Sequence, residues 1–382
     1  MTLLISTVTF AEDFSAVKFH KVAAKGDVIP GSSRTFYMIS DASTSKGNVV
    51  FISVAQGMHY GVYRYSEGAL TTVAETGDEV PGGGGFVSFH SPAIYGETVV
   101  FRGISKDLNG KRHEGVYLSH RGSLSVMVDD SMKFPGSEKY FGSFREIDMF
   151  GKEVVFRAFG HGEAGIFKYS EGKLTLIADE SVPIPNSQEV FAGALEPKIS
   201  QGMVVFQGYQ HTTLGIYQHD GTKIETVANV HTTVPGTKAH FEEFTIPSNS
   251  GSTVAFWSKY GDHHNGIYRF DEKGLSVVAD DSTQAPGKDA YFRRFFHMPS
   301  VSNGKVAFVA EDSDGVKGIY LHDGKVLHKV IDSKGTIDGK LVYDSNKSIE
   351  GFRSRSYDQD YLVFLVKFMD NSRALYMAEL PW

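Results

Sequence analysis

Gly165-Ile166-Phe167-Lys168-Tyr169-Ser170-Glu171-Gly172-Lys173-Leu174-Thr175-Leu176-Ile177-Ala178-Asp179 reads as a strand, a glycine turn and a second strand, and its opening triplet recurs along the chain. Copies stand at Gly61-Val62-Tyr63, Gly115-Val116-Tyr117, Gly215-Ile216-Tyr217, Gly266-Ile267-Tyr268 and Gly318-Ile319-Tyr320, with a degenerate last copy at Ala374-Leu375-Tyr376, so the step is 50 to 56 residues. A fixed period near fifty is that of propeller blades. Downstream of the triplet and its second strand, a Pro-Gly turn usually follows: Pro30-Gly31, Pro81-Gly82, Pro135-Gly136, Pro235-Gly236 and Pro286-Gly287. Next come an aromatic strand (Phe86 to Phe89, Phe141 to Phe144, Phe241 to Phe244, Phe292 to Phe295) and a β-branched strand ending in Phe, as in Val99-Val100-Phe101 and Val154-Val155-Phe156. Turn signals separate four short strands per unit, and no helical period is sustained. The expected fold is an all-β, seven-bladed β-propeller with four-stranded blades. Val17 to Ala24, followed by Gly26-Asp27, matches the fourth strand Leu70 to Glu75, followed by Gly77-Asp78. The chain ends just after its last triplet, so the N-terminal strand is expected to complete the last blade and leave no open edge. Residues 12–382 then form one domain. The least marked unit is the last, where Asp338-Gly339 replaces Pro-Gly.

Composition removes several functions. Lys and Arg number 38 against 45 Asp and Glu, a formal charge of -7, which argues against a general nucleic-acid binder. Hydrophobic residues make up 41% and aromatics 13%, enough for a real core. The absence of cysteine excludes disulfides, cysteine-zinc sites and thiol catalysis. No apolar run is long enough for a membrane-spanning helix. Leu3-Leu4-Ile5-Ser6-Thr7-Val8-Thr9-Phe10-Ala11, before Glu12-Asp13, reads as the end of a truncated secretory signal occupying residues 1–11, so a secreted or periplasmic setting is expected.

In a repeat protein, residues that break the repeat are the candidates for function, because repeated residues serve the fold. One position after the second inner-strand landmark holds Ser40, His90, Arg145, Leu195, Thr245, Phe296 and Arg353. Just beyond the Val-Val-Phe strand stand Arg102, then Arg157 with His161, Gln207 with Tyr209 and His211, and Trp257 with Lys259 and Tyr260. His113 lies in the longest such loop, and Arg293 and Arg294 lie in the sixth inner strand. Arginines, histidines and aromatics around one channel mouth suit an anionic, hydroxyl-rich ligand, since Arg clamps carboxylates or sulfates and aromatic faces cover sugar rings. Gly82-Gly83-Gly84-Gly85 lacks the Lys-Ser/Thr of a phosphate loop, and there is no Gly-x-Ser-x-Gly elbow. Asp262 with His263-His264 could ligate a metal only if further ligands converge, and Asp129-Asp130 and Asp280-Asp281 are more simply turn caps than calcium sites. No metal site or cofactor is assigned.

The repeated grammar of Gly-Ile-Tyr, Val-Ala-Asp, Pro-Gly, Phe-x-x-Phe and Val-Val-Phe resembles a large group of bacterial secreted propellers, and is similar to the seven-bladed ulvan lyases of marine bacteria. That resemblance covers nearly the whole chain and rests on a scaffold signature. It implies a polysaccharide lyase acting on a uronate glycan by β-elimination, with His and Tyr moving protons and Arg or His neutralising the carboxylate. Under it, His90 or Tyr209 takes the C5 proton, His113 or Tyr260 protonates the leaving oxygen, and Arg145 or Arg157 stabilises the enolate-like charge. His161, His211, Trp257 and Arg293 complete the expected substrate contacts. The cysteine-held zinc of some ulvan lyases has no counterpart here. The alternative is a non-catalytic propeller that binds a glycan or a protein with the same basic, aromatic mouth. An anionic polysaccharide is the expected partner in either case, with the chain a monomer.

Overall fold

The computed structural model describes residues 17–381 except Gly82 and 345–347; the signal-like segment 1–11 and Gly82 of the second Pro-Gly turn lie outside the described residues. Seven antiparallel sheets of four or five strands follow one another, and no helix occurs among the described residues. No helix is therefore long and apolar enough to cross a membrane. The innermost strands of blades 1 to 4 are Phe36–Ser45, Gly85–Tyr95, Ser143–Phe150 and Gly193–Ser200. Blade 5 uses Glu243–Phe244 and Ser248–Ser250, blade 6 uses Phe292–Ser302, and blade 7 uses Ile349–Glu350 and Tyr357–Asp358. Each inner strand packs on the inner strand of the next blade, and Tyr357–Asp358 packs on both Phe292–Ser302 and Phe36–Ser45, which closes the ring. Lys18–Ala24 pairs antiparallel with Arg373–Glu379 as the outer strand of blade 7, the closure expected from the sequence.

The repeated residues are the blade core. In blade 4 the Phe191 ring meets Tyr217 edge-on at 4.9 Å, and Phe206 stacks on Tyr217 at 5.9 Å. The same trio recurs as Phe36, Tyr63 and Phe51 in blade 1 and as Phe292, Tyr320 and Phe308 in blade 6. Edge-on aromatic pairs of this kind add to simple area burial. The triplet glycine has a specific cause. The register of third and fourth strands slips just after the triplet's second residue, and the fourth strand closes in there. A Cβ on Gly215 would stand 2.6 Å from the Ala228 carbonyl oxygen, and one on Gly266 would stand 2.8 Å from that of Ala279. Apolar clusters lie between adjacent blades, as where Val50 and Ile52 of blade 1 pack with Phe86 and Phe101 of blade 2.

Polar groups tie neighbouring inner strands. Asp148 accepts the Ile199 N–H at 2.7 Å, Ser248 accepts that of Val301 at 3.1 Å, and Ser300 accepts that of Tyr357 at 3.0 Å. One side chain spans the channel. Arg355 of blade 7 donates from Nε and Nη2 to Asp148 of blade 3, at 2.9 and 2.6 Å, from Nη2 to the Ile199 carbonyl of blade 4, and from Nη1 to the Asn249 carbonyl of blade 5 at 3.1 Å. Arg355 borders two cavities, one around Asp41, Glu146 and Glu196 and one around Ser45, Gln201 and Asn303. It thus divides the channel into an upper and a lower chamber. The upper one opens toward the face that carries the loops between second and third strands.

Candidate functional site at the upper channel mouth

The rim of blades 2 and 3 is built from two cross-strand pairs. His90 stands opposite Arg102, and Arg145 stands opposite Arg157. Arg102 is buried and donates from Nε to Glu114 Oε1 at 2.7 Å, and the same oxygen accepts the Phe144 N–H at 2.7 Å. This relay joins blade 2 to blade 3, so Arg102 serves the scaffold. Burial, then the Arg102 charge, pushes the half-buried His90 imidazole below its ordinary range, with a smaller push from Arg145; Asp41 and Glu114 oppose it. His90 is therefore neutral at neutral pH. The Arg157 guanidinium lies 4.4 Å from the Phe159 ring centre and 3.6 Å from Glu146. Arg145 is exposed, lies 5.9 Å from the same ring centre, and forms no ion pair with a carboxylate among the described residues. Elsewhere around the channel Arg353 holds Asp41 at 3.2 Å, Arg355 holds Asp148, and Arg293 holds Glu311 at 2.5 Å.

The remaining expected residues separate. Trp257 is 5% exposed and packs among Ile267, Phe295 and Phe308 in the core between blades 5 and 6, so it is not a mouth residue. Its size made it a candidate, but the second strand turns it toward a blade interface. His113 holds Asp130 at 3.2 Å, with Asp107 at 3.7 Å. His264 holds Asp281 at 2.8 Å, and His59 holds Glu75 at 3.3 Å, in the matching place before the triplet glycine. His113, like His264, therefore ties the third strand to the loop after the fourth, and His59 ties it to the end of the fourth strand, so His113 is not a departure from the repeat. Tyr260 stacks on His264 at 5.0 Å. Tyr209 is 38% exposed over Gly193 of its own blade, and His161 and His211 are exposed in the turns beyond the second strands of blades 3 and 4. None of these groups lines the upper chamber. Only His90, Arg145 and Arg157 are drawn together on adjacent blades.

The inner strands also hold residues that the search for repeat-breakers passed over. One position beyond His90 and Arg145, the backbone bulges at Asp41, Ser91, Glu146 and Glu196, with φ of 47°, 49°, 54° and 52°. A bulge re-aims a side chain, and all four line the upper chamber together with Lys198, Arg353 and Arg355. Acids at that one position in blades 1, 3 and 4 were the available signal in the sequence.

Against known proteins, a family of unknown function, DUF7453, matches over residues 7–336. The chain belongs to this family. No curated protein matches this chain in sequence. Among solved structures, the β-propeller domain of the Trilobed protease from Pyrococcus furiosus is similar at 12% identity and a TM-score of 0.54, covering 91% of this chain and 94% of that one. Its published description is of an open velcro topology, whereas the present ring is closed by Lys18–Ala24. An uncomplexed acylaminoacyl peptidase from Pyrococcus horikoshii is similar at 13% identity and a TM-score of 0.54, covering 90% of this chain and 51% of that one. The chain thus spans about half the length of that peptidase. At such identities the likeness is one of fold, and fold does not carry function. Both of these solved structures are peptidases or peptidase domains.

Proposed function

We propose that this propeller binds an anionic, hydroxyl-bearing ligand, a uronate glycan, at the rim of blades 2 and 3 without cleaving it. The observation that carries this is Arg145: an exposed guanidinium with no carboxylate partner, beside a neutral His90. A guanidinium left open in this way can clamp a carboxylate with two parallel hydrogen bonds, and a neutral imidazole can both donate to and accept from sugar hydroxyls. Lyase chemistry needs a proton-transfer pair on one sugar. Tyr260 and His113 are instead taken up by His264 and Asp130, within their own blades. The uronate lyase remains the second reading on one observation, that a neutral His beside an Arg is a competent base next to a charge stabiliser. A setting outside the cytoplasm and a monomeric state accompany this proposal, the former on the Leu3 to Ala11 segment.

Retention on immobilised pectate, alginate, ulvan and glycosaminoglycans tests it. Arg145→Ala should weaken retention on the glycan that binds by about 10- to 100-fold, the value of a charged hydrogen-bonded contact. Its melting temperature should match the parent's, because among the described residues the side chain forms no hydrogen bond or ion pair and lies only loosely over the Phe159 ring. Equal retention of parent and variant would remove Arg145 from the site.

A further inference from the structure

The upper chamber has a chemistry of its own, distinct from the rim. It encloses about 230 Å³, below the usual size of a pocket for a drug-sized ligand. Its walls are unlike. On blades 1, 3 and 4 the left-handed bulges turn Asp41, Glu146 and Glu196 into it, and on blades 5 and 6 the wall is Ile246 and Met298. Left-handed backbone on side chains other than glycine is strained, and here it recurs at one inner-strand position of four adjacent blades. The Arg355–Asp148 pair forms the floor.

The bases at this chamber are committed. Arg355 is spread over Asp148 and two carbonyls, and Arg353 over Asp41 and the Met298 sulfur. Lys198 donates to the Pro197 carbonyl at 3.1 Å and lies 3.7 Å from Glu196. The acids are less well served. Glu146 accepts the Glu196 N–H at 2.7 Å, and its cation among the described residues is Arg157 at 3.6 Å. Burial, countered by Lys198 and reinforced by the Glu146 charge, raises the Glu196 carboxyl above the usual carboxylate range. A second sign of a missing partner is independent of charge. Ser43 and Ser354 are each 5% exposed, both line the chamber, and neither hydroxyl makes a hydrogen bond among the described residues. Neither oxygen is sealed from solvent, so both are open to a polar occupant of the chamber. The apolar wall of Ile246 and Met298 facing these carboxylates suits an organic cation.

We propose that the upper chamber binds a small primary amine, its ammonium between Glu146 and Glu196, its carbon skeleton against Ile246 and Met298. The bulged strands present the carboxylates, and Ser43 and Ser354 offer acceptors for the remaining ammonium protons or for a second polar end. None of His90, Arg145 and Arg157 lines this chamber, and the one contact between it and the glycan rim is the Arg157–Glu146 pair.

Calorimetric titration of the full chain with butylamine and 1,4-diaminobutane tests it, with butyrate and potassium chloride at matched ionic strength as controls. Saturable one-to-one heat with the amines alone is expected. Glu146→Gln and Glu196→Gln should each weaken it about tenfold or more, as for loss of a charge-assisted hydrogen bond. Ile246→Phe, which alters no charge, should also weaken it by crowding the apolar wall, and it serves if a Glu variant fails to fold. Arg145→Ala should leave amine binding unchanged while weakening glycan retention. Absence of saturable amine heat, equal heat from butyrate or potassium, or amine affinity unmoved in folded Glu196→Gln would overturn the proposal.

Discussion

At the scale of single residues, the repeat separates side chains that serve the fold from those that do not. His113 and Trp257 carry the chemistry of a binding site in their residue types, yet one is a recurring strand-to-loop tie and the other a core residue. Glu196 shows the opposite case, an acidic side chain in an inner strand that the fold does not need. Its carboxyl is raised, so the folded state holds the proton more tightly than the unfolded chain does. The sign follows from linkage. Its favourable contribution is complete below the ordinary carboxylate range and is lost as pH rises through the raised value. Glu196→Gln, which keeps a neutral side chain throughout, should therefore melt above the parent at neutral pH. The difference should close as the pH is brought to about 4, near the unperturbed value. Thermal melts of the two proteins at both pH values check this; a variant that melts lower at neutral pH contradicts it.

At the scale of the element, the inner strands do two jobs, and only one was legible beforehand. The triplets, the Phe-x-x-Phe strands and the Val-Val-Phe strands announce blades because their aromatics return to the same trio, and the triplet glycines of blades 2 to 6 meet the same incoming carbonyl. Such constraints repeat at every turn of the ring and so leave a period in the sequence. The rim pair His90 and Arg145 was legible for the converse reason, as departures at one repeated position. The chamber was not, because the acids at one position in blades 1, 3 and 4 mark a site only once the backbone bulge there turns them inward, and that bulge shows only as φ. The Arg355 clasp was invisible too, since it joins residues 207 positions apart across the channel. That clasp has a testable energy. Asp148 is 2% exposed and answers both Arg355 and the Ile199 N–H. Arg355→Ala would leave its charge buried without a cation, a loss of about 3–5 kcal/mol. Chemical denaturation should show a drop of that size. A drop under about 1 kcal/mol, the worth of an exposed pair, would mean that water replaces the guanidinium without penalty.

At the scale of the whole molecule, closure by Lys18–Ala24 is the feature on which the ring depends. Blade 7 has the most fragmentary inner strand, Ile349–Glu350 and Tyr357–Asp358, and takes its outer strand from the other end of the chain. Removing residues 17–24 exposes the edge of Arg373–Glu379, and unpaired edges recruit other chains. The truncated protein should aggregate or melt well below the parent. Light scattering and a melting curve report this, and a cooperative melt at the parent temperature would show that the ring does not need the strand.

A closed ring presents one upper face, and the central claim is that this face binds an anionic glycan at Arg145 and does not cleave it. The direct test is to incubate the parent and Arg145→Ala with a panel of uronate polysaccharides, measuring in the same samples the glycan bound and the ultraviolet absorbance of unsaturated product. Binding by the parent, about 10- to 100-fold weaker binding by the variant, and no rise in absorbance for either is the expected result. A rise in absorbance with the parent that Arg145→Ala suppresses would contradict it and establish the lyase instead.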